Sequence, residues 1–88
     1  MKFSPEKREN INVPDVKRSL ILHNDSKNTF DFIIESLVEL CHHDPYQASQ
    51  CAVIAHYKGK CEIKKGNFEE LKILEQRFLN KGITVTIE

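Results

Sequence analysis

The hydrophobic positions change period several times along the chain, and each change marks an element. Ser19-Leu20-Ile21-Leu22 contains three consecutive apolar residues and predicts a buried strand over about 17–23. It breaks into the polar run His23-Asn24-Asp25-Ser26-Lys27-Asn28. Phe30, Ile33, Ile34, Leu37 and Cys41 then recur at helical spacing, with Val38 and Leu40 widening the stripe, which predicts a helix over about 29–41. Asn28 is its expected N-cap, and Asp31 sits where a capping-box acid belongs. After the short connection His42-His43, Asp44 is a second N-cap, Pro45 suits the first helical position and Gln47 completes a capping box. The second helix is expected over about 45–57, ended by Gly59. Its inward residues are small: Ala48, Cys51, Ala52 and Ala55, with Ile54 beside them. A helix lined with alanine either packs very close to its neighbour or leaves room for something else.

Lys60-Cys61-Glu62-Ile63-Lys64 alternates like a half-buried strand, and Gly66 marks a turn. Asn67, with Glu70 at the capping-box position, opens a third helix carrying Phe68, Leu71, Leu74 and Phe78, which ends near Asn80-Lys81-Gly82. Ile83-Thr84-Val85-Thr86-Ile87 closes the chain as an alternating strand. The order is β-α-α-β-α-β. It predicts a single α+β domain over 17–88, a three-stranded antiparallel sheet packed against helices. Residues 1–16 are polar, contain two prolines and have no period, and they read as a flexible N-terminal arm.

Composition narrows the function. Eighty-eight residues make one domain with a modest core. Thirteen Lys plus Arg against thirteen Asp plus Glu leave no net charge, which argues against nucleic acid or an anionic membrane as the main partner. No apolar run approaches the ~20 residues of a membrane span, and no apolar signal-peptide segment opens the chain. Cys41, Cys51 and Cys61 are odd in number and lack C-x-x-C spacing, so they read as buried thiols of a reducing, cytoplasmic protein. Their regular spacing looks accidental, since it sets them on different elements.

Candidate chemistry is concentrated after the first strand. Asn24, Asp25 and Asn28 present carbonyl and carboxylate oxygens beside a helix N-terminus, a set suited to a small cation such as an ammonium group. The same residues are also common turn formers. His56, on a face of small residues, reads by periodicity alone as a structural histidine. His42-His43-Asp44 resembles a metal cluster, but adjacent histidines at a helix junction converge poorly on one ion, and no further ligands lie at zinc spacing. It reads as a solvated loop, and neither metal nor cofactor is expected. No nucleophile elbow and no phosphate loop is present.

Two separated motifs carry a family resemblance. Leu22-His23-Asn24-Asp25, followed by Phe32, Asp44, Ala48 and Gln50, and then Ala55-His56-Tyr57-Lys58-Gly59-Lys60, resemble the ClpS family over about 19–88. These are adaptors that deliver N-degron substrates to Clp-type AAA+ unfoldases. The resemblance implies a non-enzymatic protein that holds a substrate's free α-amino group with Asn24, Asp25 and His56. It implies a side-chain pocket built from Asn28, Phe30, Ile33, Ala52, Ala55 and Ile83, accepting Phe, Tyr, Trp or Leu. Phe30 and Ala52 stand where the family usually has methionines, and Ala55 where it has a valine. The pocket is then either deeper, or filled by an inward-turned Phe30. Ser26 replaces a frequent second aspartate.

The implied partners are N-degron proteins or peptides and the N-terminal domain of a ClpA- or ClpC-like unfoldase. Glu69 keeps the family's acidic residue near the start of the third helix, while the lysine expected five residues on is Leu74. The arm over 1–16 corresponds to the segment that the family feeds toward the unfoldase pore. A different class of protein with the same shape, an interaction module without an N-degron pocket, is separated from this reading by binding of Phe-initiated peptides with and without acetylation. An enzyme using Asp25 and His56 as an acid–base pair would require turnover.

Overall fold

A computed structural model describes residues 16–88; the expected arm over 1–16 falls, apart from Val16, outside the described residues. The elements follow in the order β1 (Arg18–His23), α1 (Phe30–Cys41), α2 (Pro45–Lys58), β2 (Lys60–Gly66), α3 (Phe68–Asn80) and β3 (Val85–Ile87). The predicted β-α-α-β-α-β order and the three-stranded antiparallel sheet are both present. β1 is the central strand, flanked by β2 and β3. Its Leu20 and Leu22 point to the face shared with Leu37, Ala48, Leu71 and Phe78, which form one buried cluster.

Asp44 Oδ1 accepts from the Gln47 N–H (3.0 Å) and Asn67 Oδ1 from the Glu70 N–H (2.8 Å), as their spacing predicts. The first helix departs from expectation. Its N-cap is Thr29, whose hydroxyl accepts from the Phe32 N–H at 3.1 Å, and not Asn28. The Asn28 amide is drawn elsewhere, into contacts with Asp25 and Gly82.

Three further expectations change. Phe68 is half exposed and takes no part in the core; Arg18 and Lys72 lie over its ring instead. The last strand begins at Val85, because Ile83 donates its N–H back to the Phe78 carbonyl (3.0 Å) in a Schellman-type closure with Gly82 left-handed at φ 80°. That closure turns the Ile83 side chain into the core.

The third change concerns the histidine pair. His42 is the left-handed C-cap of α1 and is exposed, but His43 is buried and is no part of a solvated loop. The β1–β2 register skips Ile63, since Leu20 pairs with Lys64 and Ile21 with Glu62. The Ile63 carbonyl accepts a hydrogen bond from His43 Nε2 at 2.8 Å, which ties the α1–α2 junction to β2.

Gly59 ends α2 at φ 95° with open space around a built Cβ. Its carbonyl accepts from the Asn24 N–H at 2.9 Å, so it also positions the loop after β1. Gly59→Ala meets no clash and carries only the left-handed backbone cost of about 1–2 kcal/mol. The expected result in a thermal melt is a fall of roughly 4–16 °C; an unchanged midpoint contradicts it.

Candidate functional site

A cavity of about 340 Å³, counted with its open mouth, lies where the loop after β1 meets the first turn of α1 and the middle of α2. Leu22, Ile33, Ala52 and Ala55 supply apolar wall, and Asn24, Asp25, Asn28 and His56 supply polar edge. Of the small residues of α2, Ala52 and Ala55 border this space, while Ala48 and Cys51 pack in the core. Phe30 stands at the mouth, 45% exposed, its ring tilted against His56 with centroids 5.3 Å apart. Tyr57 meets the same imidazole edge-on, with ring centroids 4.8 Å apart. The Phe30 ring is thus at the rim, and the space behind it is open.

The loop is organised by one carboxylate. Asp25 Oδ1 accepts from the Lys27 N–H (2.9 Å) and the Asn28 N–H (2.8 Å), and Oδ2 accepts from the Asn28 amide (3.0 Å). The same Asn28 amide donates to the Gly82 carbonyl at 3.0 Å, joining the loop to the end of α3. Both of its hydrogens are then spent, which leaves the Asn28 side-chain oxygen as an acceptor. A carboxylate offers about four acceptor sites, so Asp25 keeps capacity for a further donor. The edge of the cavity is consequently rich in acceptors.

Burial alone pushes the Asp25 carboxyl up, but the hydrogen bonds from Asn28 and Lys27, together with the Lys27 charge, outweigh it and hold the group below its ordinary value. Such a carboxyl adds stability that is complete above its unfolded value, about 3.9, and is lost as pH falls through the lower folded one. The stability gap between wild type and Asp25→Asn should accordingly shrink when denaturant melts are carried from neutral pH into strong acid. A gap that holds constant or widens on acidification contradicts this.

Of the residues singled out in the sequence, Asn24, Asp25, Asn28, Phe30, Ile33, Ala52, Ala55 and His56 all border this cavity. Ile83 does not: it is 1% exposed and packs in the core. Glu69 is exposed in the first turn of α3, away from the cavity, while Leu74 leans onto the core and is not a surface partner to it. Leu22 and His23 line the cavity without having been assigned to it. Both stand in the first motif, and their position at the end of the central strand, next to the acceptor loop, was the available signal. His23 Nε2 and the Thr86 hydroxyl lie 2.7 Å apart, which ties that ring to β3. Among the described residues, no helix is long and apolar enough to cross a membrane.

The fold is shared with a solved structure, Agrobacterium tumefaciens ClpS2 bound to L-phenylalaninamide. The two are 15% identical, with a TM-score of 0.74 over 85% of this chain and 98% of that one. No curated protein matches the sequence. The family model described as ATP-dependent Clp protease adaptor protein ClpS matches residues 15–83, a span that takes in β1, the acceptor loop, α2 and α3. With that match over most of its length, and both motifs at one cavity, the chain belongs to the ClpS family of Clp protease adaptors.

Proposed function

We propose that the cavity binds the first residue of proteins with a free, bulky hydrophobic N-terminus, and that the chain hands these N-degrons to a ClpA- or ClpC-type unfoldase in the cytoplasm. The observation that carries this reading is the two-part chemistry of the cavity, an apolar wall beside an acceptor-rich edge. An α-ammonium has three donors and no acceptor. The Asn24 oxygen, the Asp25 carboxylate (directly or through a water) and a lone-pair nitrogen of His56 answer them. The L-phenylalaninamide bound by Agrobacterium ClpS2 has these two parts, an α-amine and an aromatic ring.

Acetylation removes the charge and two of the donors, and it leaves the Asp25 carboxylate without a charged partner. The test is a competition series of peptides that differ only at residue one, each with and without an acetyl cap. Binding of the free Phe peptide and loss of tenfold or more on acetylation is the expected result. Equal binding of the two forms points instead to an interaction module without an N-degron pocket.

Specificity follows from the small residues. Ala52 and Ala55 leave space that an aromatic ring fills, and Leu leaves part of it empty at roughly 1 kcal/mol per methyl-sized void. Phe, Tyr and Trp should therefore bind about fivefold or more tighter than Leu. Val and Ile should be rejected, because Phe30 at the mouth crowds a branched Cβ. Leu binding as tightly as Phe, or free entry of Ile, overturns this preference.

Delivery is assigned to two other parts, Glu69 on α3 and the segment over 1–16. Removing 1–16 should leave peptide affinity unchanged and slow degradation of an N-degron substrate by the unfoldase–protease pair. A wild-type degradation rate would sever that segment from delivery.

A further inference from the structure

Tyr57 belongs to the second motif but does not line the cavity. Its ring stands edge-on to His56, and His56 in turn meets Phe30 at the mouth. At 79% exposure it is the most open of the large apolar side chains described. Its contact with His56 holds it in place, while most of its surface is left available for contact. Val53, half exposed, precedes it by one helical turn on the same face of α2. Phe30, Tyr57 and Val53 thus make an apolar shelf that begins at the mouth of the cavity and runs back along α2.

We propose that this shelf docks an apolar side chain from the second or third residue of the substrate, so that Tyr57 sets a preference beyond the first residue. The inference rests on the reading of the cavity as a site for a free N-terminal residue. A protein whose first residue fills the cavity leaves by the mouth, so its next residues pass over the rim. The rim has two unlike sides. One is the acceptor loop with Asn24, Asp25 and Asn28, and the other is Phe30 and His56 backed by Tyr57. An apolar side chain laid on the loop would cover polar groups without pairing them. Laid on the rings, it buries apolar surface against apolar surface.

Reach limits which residues take part. An extended chain advances ~3.3 Å per residue, so the third residue lies about 7 Å from the first and the fifth about 13 Å. The Tyr57 and His56 ring centroids are 4.8 Å apart, and a His56 nitrogen faces the substrate's α-ammonium in this reading. Residues two and three are therefore within reach of the Tyr57 ring, and residue five is past it. A tyrosine has only two side-chain torsions to fix, so docking against it costs little conformational entropy. Exposure alone does not make such a subsite. Tyr46 is 74% exposed on the same face of α2, but it stands about 16 Å along the helix from Tyr57 and so away from the mouth. It is the internal control.

The experiment uses the full chain and competing Phe-initiated peptides that carry Leu or Ser at residue two, three or five, with one acetylated peptide as reference. Leu at residue two or three should bind about fivefold tighter than Ser, and residue five should make no difference. Tyr57→Ala should bring that ratio close to one while keeping the loss on acetylation. Tyr57→Phe should preserve the ratio, since the ring flank and not the hydroxyl makes the contact, and Tyr46→Ala should leave it unchanged. The ratio is read within each variant, so a general weakening through a displaced His56 does not imitate it. A wild-type ratio near one, with acetylation still costly, removes the shelf and leaves the cavity reading standing. A ratio that survives Tyr57→Ala also removes it, and slower degradation by the unfoldase in that variant would assign the face to the unfoldase instead. Free and acetylated peptides that bind alike overturn the cavity reading and the shelf together.

Discussion

Asp25→Ala and His56→Ala should each remove most of the affinity for a Phe-initiated peptide while leaving the fold intact. Both side chains lie at the edge of the cavity, and neither belongs to the buried cluster. Losing a hydrogen bond to a charged group costs about 1.5–3 kcal/mol, which is roughly ten- to hundredfold in affinity. Asp25 should fall at the upper end, because among the described residues it supplies the only carboxylate on the cavity wall, and it also organises the loop through Lys27 and Asn28. Asp25→Asn keeps part of the loop geometry without the charge, and so separates the two contributions. His56→Ala also takes away the surface on which Phe30 rests, at 5.3 Å between ring centroids. Fluorescence anisotropy with a labelled peptide measures the loss, and circular dichroism on the same samples verifies folding. Folded variants that bind as tightly as wild type would place the α-amino site elsewhere.

Phe78→Ala has the largest expected effect on stability. The ring is 0% exposed and packs with Leu20, Leu37 and Leu71 at the centre of the one described cluster. Truncating a buried Phe to Ala typically costs about 3–5 kcal/mol, the transfer loss plus the cavity left behind. Small domains have a total near the low end of roughly 5–15 kcal/mol, so the variant retains little. Ile73→Ala on the same helix is the control, since Ile73 is 58% exposed and such positions usually change stability by within about 0.5 kcal/mol. Urea melts of the two variants should differ widely in midpoint. A Phe78→Ala protein as stable as Ile73→Ala would mean that the core is not centred on α3 and β1.

The order of elements was legible because each is specified by neighbours in sequence. Helical spacing of Phe30, Ile33 and Leu37, the caps Asp44 and Asn67, and the stop at Gly59 all act within a few residues, and each is seen in the structure. The acceptor set Asn24, Asp25 and Asn28 was legible for the same reason, as a polar run between a strand and a helix. That this run meets Ala52, Ala55 and His56 at one cavity was implied only by the family resemblance and not by period or capping, since the packing of α1 against α2 decides it.

Only the tertiary structure decided the features that rest on distant partners. Asn28 looks like an N-cap in sequence, yet the Gly82 carbonyl and the Asp25 carboxylate take its amide and leave the cap to Thr29. His43 looks like loop, yet the skipped residue in the β1–β2 register frees the Ile63 carbonyl to hold it in the interior. Ile83 reads as strand, yet the closure of α3 turns it into the core. Cys41, Cys51 and Cys61 read alike as buried thiols, yet only the first two are buried, and Cys61 is left partly covered on the edge strand β2. By itself the sequence determined which segments are helix and strand, because period and capping are local. The fold decided which of their polar groups meet, because those pairs form only once the segments pack.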